Sequence, residues 1–253
     1  ADGVIKYSAV IDCFENINTN LTMEILKEYQ VDELDLICLT HPDKDHCKGL
    51  EKVLDKSNRK TRILYPVNLF NDFNYDTDVN IVVNKISDFL SQRRNNLNKP
   101  ILKSCVGSYL LPINLEFINA TNGYKYPLVI NTYSPISEII DKASARNFIN
   151  RTYKYTNSHN NLSIMSSIAL GDFKILLCSD IENDTIDIVE RDLNTNAKEF
   201  FCNTIDFLKI PHHCSLGSKN ILNLLKNVFI SNSVTTTYNV GNVKLPNDEM
   251  LEK

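Results

Sequence analysis

Three observations in this sequence predict an α/β architecture, with two sheets and helices outside them in an αββα sandwich. Short apolar runs of strand length alternate with stretches of helical spacing in both halves of the chain. Gly171-Asp172 separates two such runs and marks a tight hairpin. Three of the runs end on histidine or aspartate, as a polar site gathered from distant parts of one fold requires. With 253 residues, 43% hydrophobic and 23% charged, the chain can bury a sizeable core and reads as one domain over residues 1–253. Ala1 directly before a strand and the stop at Lys253 read as cut ends of a longer chain.

In order, Val4 to Cys13 reads as a strand, Leu21 to Tyr29 as a helix, and Leu34 to Thr40 as a short strand delivering His41. Gly49 to Leu54 starts a helix and Thr61 to Tyr65 is a strand. Asp78 to Arg94 is a long polar helix, followed by a basic loop through Lys99 and Lys103. Leu128 to Tyr133 is a strand and Ile136 to Ala145 a helix. Leu162 to Leu170 and Phe173 to Cys178 are the strands of the hairpin. Ile186 to Arg191 is helical, Phe207 to Ile210 is a strand running into two histidines, and Lys219 to Leu225 is a helix.

Composition narrows the function. A net charge of −4 argues against a protein that coats nucleic acid indiscriminately, so any such contact is local. Seven cysteines without a CxxC pair predict reduced thiols and a cytoplasmic setting rather than a disulfide framework. No window approaches a transmembrane helix and no signal peptide is visible, so no membrane association is expected. The oligomeric state is not legible.

Five histidines occur, four of them in His41-Pro-Asp-Lys-Asp-His46 and in the pair His212-His213. Between these runs, Leu176-Leu-Cys-Ser-Asp180 ends an apolar stretch on one aspartate. Histidine and carboxylate hold zinc, manganese and iron. Four ligand-type side chains in six residues after an apolar strand favour a metal loop over a polar turn, and a tight loop can spread them around two ions.

Taken together, these strings resemble the metallo-β-lactamase fold superfamily. Leu39-Thr-His-Pro-Asp-Lys-Asp-His-Cys-Lys-Gly-Leu50 is similar to its HxHxDH element and Ile11-Asp12-Cys13 to its IDxG strand end. Leu176-Leu-Cys-Ser-Asp-Ile-Glu182 is similar to LLxGDIE, and Leu208-Lys-Ile-Pro-His-His-Cys-Ser215 to LKxxHHGS. The last two, with HxDxDH, resemble the branch of the metallo-β-lactamase domain of the competence protein ComEC. Departures are Asp43 in place of the family's second histidine, and Cys13, Lys48, Ser179 and Cys214 in place of motif glycines. Asp43 adds a hard oxygen donor that suits Mn²⁺ or Mg²⁺.

The resemblance implies two divalent metal ions, Zn or Mn. His41 and Asp43 would hold one, Asp45, His46 and His213 the other, and Asp180 would bridge them. His159 stands where the family has a lone histidine, and ligand, substrate contact and loop histidine all stay open for it, with Asn160 and Asn161 as weaker candidates. His213 is assigned as ligand and His212 to the substrate or leaving group, the reverse remaining open. Asp45 and His212 are the residues expected in the catalytic step. Lys44 and Asn161 are expected at the substrate, Lys44 being equally a solvated lysine. Asp12 orients a metal-bound histidine. Cys47 and Cys214 are expected to be structural thiols. The implied activity is phosphodiester hydrolysis through a metal-bridged hydroxide, with nucleic acid as first substrate class. The alternatives are a small-molecule phosphodiester or phosphocholine-type ester, and a catalytically inactive metal-binding partner module of a multi-protein system. Basic residues after the first motif (Lys48 to Arg62), in Arg93-Arg94 and in Arg146 to Tyr155 are either a phosphate track or the wet faces of helices.

Overall fold

Parallel strand pairing organises residues 1–105, the first of two compact units in a computed structural model. The structure describes residues 4–67, 69–70, 75–93, 98–118, 121–141, 158–193, 200–201 and 203–251. Strands β1 (Ala9–Ile11), β2 (Leu36–Cys38), β3 (Arg62–Pro66) and β4 (Ile101–Cys105) lie in that order, every neighbouring pair parallel. Parallel neighbours need crossovers. Helix α1 (Leu21–Glu28), the short turns α2 (Lys44–Cys47) and α3 (Leu50–Leu54), and the long α4 (Thr77–Arg93) supply them. Helix α1 starts on Asn20, whose side chain accepts from Met23 N at 3.1 Å. In α4 the buried residues are Val79, Val82, Val83 and Ile86, one helical stripe. These β-branched residues are poor helix formers, so packing against Leu50, Val53, Leu54 and Ile63 holds α4 helical.

The expected basic loop through Lys99 and Lys103 is instead in part strand β4. Its edge position lets Lys103 point to solvent while Cys105 is buried, which hides the strand in a sequence reading. A second difference is α2, a helical turn inside the first histidine motif.

The register explains where the polar residues emerge. Ile11 pairs with Cys38, so Asp12 and Thr40 leave the carboxyl ends of adjacent parallel strands. That end of an open α/β sheet is where ligands bind. Cys13 N and Glu15 N then donate to His46 O (3.1 Å) and Lys48 O (2.7 Å), tying the loop after β1 to the second half of the motif. Gly49 closes this connection at φ +93°, where an added Cβ would lie 2.7 Å from Glu15 Cβ. Gly49→Ala is expected to cost about 1–3 kcal/mol. A denaturation midpoint equal to that of the unaltered chain would refute this role.

Residues 106–253 form the second unit. Its main sheet uses β5 (Tyr109–Leu110), β7 (Lys125–Thr132), β8 (Ser166–Leu170), β9 (Phe173–Leu177), β11 (Phe207–Lys209) and β13 (Ser233–Val234), in the order β13-β11-β9-β8-β7-β5. Strand β6 (Glu116–Ile118) also pairs with β7. Strand β10 (Asn203–Ile205) pairs with β12 (Val228–Ile230), and β14 (Tyr238–Val240) with β15 (Val243–Leu245). Helical segments are α5 (Ser158–Asn161), α6 (Asn183–Asp192), α7 (Ile221–Leu224) and α8 (Asp248–Leu251). The β8–β9 hairpin turns on Gly171-Asp172, with Leu170 paired to Phe173 and Gly171 at φ +61°. Leu176, Ile181, Ile186, Val189, Phe201, Ile205 and Leu208 pack into this unit's core.

The mixed α/β class is the one the sequence predicts, a helix-flanked sheet in each unit. Residues 162–165, read as the start of a strand, precede β8 and are not part of it. Of the helix expected over Ile136 to Ala145, residues 137–141 are helical and the rest lie outside the described residues. Strands β9 and β11 are parallel, Leu177 paired with Lys209, so Asp180 and the histidine pair both follow carboxyl ends. No described helix is long and apolar enough to cross a membrane.

Candidate metal centre

In the first unit, Asp12 organises the histidine motif. Its Oδ1 accepts from Thr40 N at 2.7 Å, and its Oδ2 accepts from Thr40 Oγ1 at 2.6 Å and faces His46 Nδ1 at 2.7 Å. Thr40 Oγ1, its proton given to Asp12, lies 3.1 Å from His41 Nδ1. These partners assign the ring proton of both histidines to Nδ1, which makes Nε2 the nitrogen with donor character toward a metal. The rings face each other with centroids 4.1 Å apart. His41 is fully buried and His46 nearly so, at the end of a sheet whose β2 residues are all buried.

Each Nε2 is matched by a carboxylate. His41 Nε2 and Asp43 Oδ2 are 3.6 Å apart, as are His46 Nε2 and Asp45 Oδ2. A separation of 3.6 Å is too long for a hydrogen bond. Two donors each about 2.1 Å from one tetrahedral ion stand about 3.4 Å apart, so the spacing suits a shared ion. Asp43 is also the N-cap of α2, yet its carboxylate makes no bond to the N–H groups of that turn. An aspartate there usually caps, and this one is turned to His41 instead.

The second unit repeats the pattern. His213 Nδ1 is held by Thr236 Oγ1 at 2.7 Å, and His213 Nε2 lies 3.4 Å from Asp180 Oδ2. Lys209 Nζ donates to Asp180 Oδ1 at 3.2 Å and to Ser179 O at 3.0 Å, which orients the carboxylate and offsets its charge. His41, Asp45, His46, Asp180 and His213 are thus candidate metal-binding residues by donor type. The donor set fits a divalent ion of the zinc or manganese kind.

His212 is placed differently from its neighbour. Its Nε2 lies 3.3 Å from Asn160 Nδ2, and its Nδ1 lies 3.2 Å from Ser215 Oγ and 3.3 Å from Glu182 Oε1. The backbone separates the two rings: His212, His213 and Cys214 stand at φ +44°, +52° and +61°. Three successive left-handed residues cost roughly 1–2 kcal/mol each. Ser179, at φ +50°, is another left-handed residue. Ser179 and Cys214 therefore occupy left-handed sites that would suit glycine, whereas Lys48 at φ −62° needs none.

Lys44 Nζ is ion-paired with Asp78 at 2.8 Å and lies 3.6 Å from Asp76, which raises its pKa and leaves a phosphate oxygen to compete with two carboxylates. Asn161 Nδ2 donates to Glu182 Oε2 at 3.4 Å, and its Oδ1 accepts from Thr185 at 3.0 Å. His159 lies in α5, its carbonyl accepting from Leu162 N at 3.0 Å. Burial pushes the Cys47 and Cys214 thiols up, well up for Cys47, so both are neutral sulfhydryls packed in the interior.

Of the basic residues after the first motif, Lys52 is paired with Glu15 and Lys56 donates to Val31 O. Arg94, Arg146, Arg151, Tyr153, Lys154 and Tyr155 lie outside the described residues. The sequence reading assigned no role to Thr40, Glu182, Lys209 or Thr236. Lys209 had a local signal, a lysine within the apolar strand that ends at the histidine pair. Thr236 had none, because its partner lies 23 positions earlier.

No family model matches the chain, and no curated protein does. Similar solved structures include the metallo-β-lactamase fold protein YhfI from Bacillus subtilis, at 12% identity over 90% of this chain and 74% of that one, with a TM-score of 0.37. A diphosphatase of the PhnP family is 14% identical over 89% of this chain and 68% of its own, with a TM-score of 0.37. Zn²⁺-bound PqqB from Methylobacterium extorquens is 11% identical over 82% of this chain and 56% of its own, with a TM-score of 0.38.

Proposed function

We propose that this chain is a metal-dependent hydrolase of phosphodiester bonds, with nucleic acid as its first substrate class. As the resemblance implies, His41, Asp43, Asp45, His46, Asp180 and His213 would hold two divalent ions. One observation carries the reading. Three histidines have Nδ1 held from behind by Asp12, Thr40 or Thr236, and each Nε2 lies 3.4–3.6 Å from an aspartate Oδ2. Separations of this size suit donors that share an ion.

Bound divalent ions supply Lewis acidity, which activates water and neutralises charge developing on phosphoryl oxygens. The chain's own residues do the rest. Asp12 and Thr40 fix the ring tautomers so that neutral Nε2 atoms are presented. Lys209 holds Asp180 by Oδ1 and leaves Oδ2 on the His213 side. His212, whose ring meets Asn160, Glu182 and Ser215, would act at the departing oxygen of the substrate.

Metal content and turnover test the reading together. Elemental analysis of purified protein should find two divalent ions per chain. A panel of Mn²⁺, Zn²⁺ and Mg²⁺ against single- and double-stranded DNA, RNA and bis(p-nitrophenyl) phosphate should show Mn²⁺ at least as effective as Zn²⁺. Asp43→His removes a hard oxygen donor and should move the preference toward zinc. Metal-loaded protein that cleaves no phosphodiester would sink the hydrolase reading and leave the partner module. Unchanged metal preference in Asp43→His would show that Asp43 is not a ligand.

A further inference from the structure

The β14–β15 hairpin is tied at both ends to the histidine turn. Thr236 Oγ1, just before β14, meets His213 Nδ1 at 2.7 Å, and Asn247 N, just after β15, donates to Cys214 O at 3.1 Å. Between these anchors the two strands pair with each other around Gly241 at φ +59°, and no third described strand joins them. A two-stranded hairpin is marginal in water by itself, so the anchors hold this one beside the histidines.

The register sorts its side chains. Tyr238 pairs with Leu245 and Asn239 with Lys244, and successive residues alternate between faces. Tyr238, Val243 and Leu245 therefore lie on one face, Asn239 and Lys244 on the other. The first face is apolar yet open, with Tyr238 36% and Val243 51% exposed. Tyr238 is not among the side chains packed in this unit's core. Its ring lies against the imidazole of His213 instead, centroids 5.2 Å apart and planes tilted by 35°.

That position decides what the ring can meet. A phosphodiester at an ion held by His213 carries its esterified group into reach of Tyr238. In nucleic acid that group is a nucleoside, and every base offers a π face on which an aromatic side chain can stack. A base inside a duplex has both faces covered by its neighbours, so only an unstacked base is open to the ring. With a net charge of −4, the chain gains from a contact that does not depend on attracting phosphates.

We propose that Tyr238 is the base-stacking residue of the substrate site: it covers the nucleobase that adjoins the scissile phosphate, and Val243 extends the same face. The site thereby selects single-stranded nucleic acid over duplex. The inference rests on the phosphodiesterase reading for the position of the phosphate, but the stacking can be measured by binding without it.

The test uses the full chain, which has no tryptophan. Tyr238→Trp keeps a stacking ring and supplies the only indole, whose fluorescence a stacked base quenches. In the Zn²⁺-loaded variant a thymidine decamer should quench it saturably. A decamer of abasic sugar phosphates, similar in charge, should not, and a duplex of the same length should quench less. For turnover, thymidine 5′-(p-nitrophenyl) phosphate and methyl p-nitrophenyl phosphate share a leaving group and differ in the nucleoside. Tyr238→Leu keeps bulk against His213 but has no π face. It is expected to lower kcat/KM on the thymidine ester by about 5- to 100-fold and on the methyl ester by less than about threefold. Tyr238→Phe should keep both values, as should Lys244→Ala on the opposite face, with bound metal unchanged in each variant. Equal quenching by the abasic decamer, equal losses on the two esters, or stronger quenching by the duplex would each overturn the proposal. Should Tyr238→Leu fail to fold or lose metal, the quenching titration of Tyr238→Trp decides. If the unaltered chain cleaves neither ester, the phosphodiesterase reading fails by itself, and the same titration still shows whether a base stacks at this position.

Discussion

Asp180→Ala is expected to reduce phosphodiester turnover by on the order of 10³-fold or more, because it removes the charge proposed to hold the ions. Asp180→Asn should fail almost as badly, since an amide lacks the charge that pairs with dications. The substitution also has a stability cost that must be separated from the functional one. Asp180 is buried, and Lys209 Nζ, on a side chain only 19% exposed, would lose the carboxylate 3.2 Å away. An ammonium left in that position costs about 1–3 kcal/mol. Asp180→Ala/Lys209→Met should recover that stability in a denaturant titration while turnover and bound metal stay lost. Turnover near that of the unaltered chain in either Asp180 variant would remove the metal mechanism.

Asp12→Asn should weaken metal binding by about 10- to 100-fold with little change in stability. Asparagine tolerates the φ of +58° that Asp12 adopts, so the backbone is spared. If the amide oxygen keeps Thr40 N, its NH₂ group meets Thr40 Oγ1–H and His46 Nδ1–H, donors against a donor. Relief requires His46 to carry its proton on Nε2, which removes the lone pair a metal needs. Chelator competition and calorimetry read the affinity, and an unchanged affinity would show that Asp12 does not orient His46.

The His–Asp motif, the aspartate after an apolar strand and the histidine pair after another were legible because strand ends leave short-range marks, an apolar run followed by polar residues. The same logic made β2, β9 and β11 readable, and Gly171-Asp172 marked its hairpin because only a few residue pairs turn that tightly. Edge and very short strands such as β4 and β13 left little trace, since half-solvated residues need not alternate in polarity.

The sequence by itself determined the α/β class and which side chains have the donor types a metal site needs, because apolar periodicity and donor type are properties of the residues. Only the tertiary structure decided how those side chains are held. Asp12 reaches Thr40 and His46 because Ile11 pairs with Cys38 across parallel strands, and no local pattern encodes a register between residues 27 positions apart. His212 and His213 are neighbours in the chain, yet left-handed backbone at both sends one ring to Glu182 and Asn160 and the other to Asp180 and Thr236. Backbone dihedrals of that kind are imposed by surrounding contacts against the residue's own preference, so they belong to the folded chain and not to its letters.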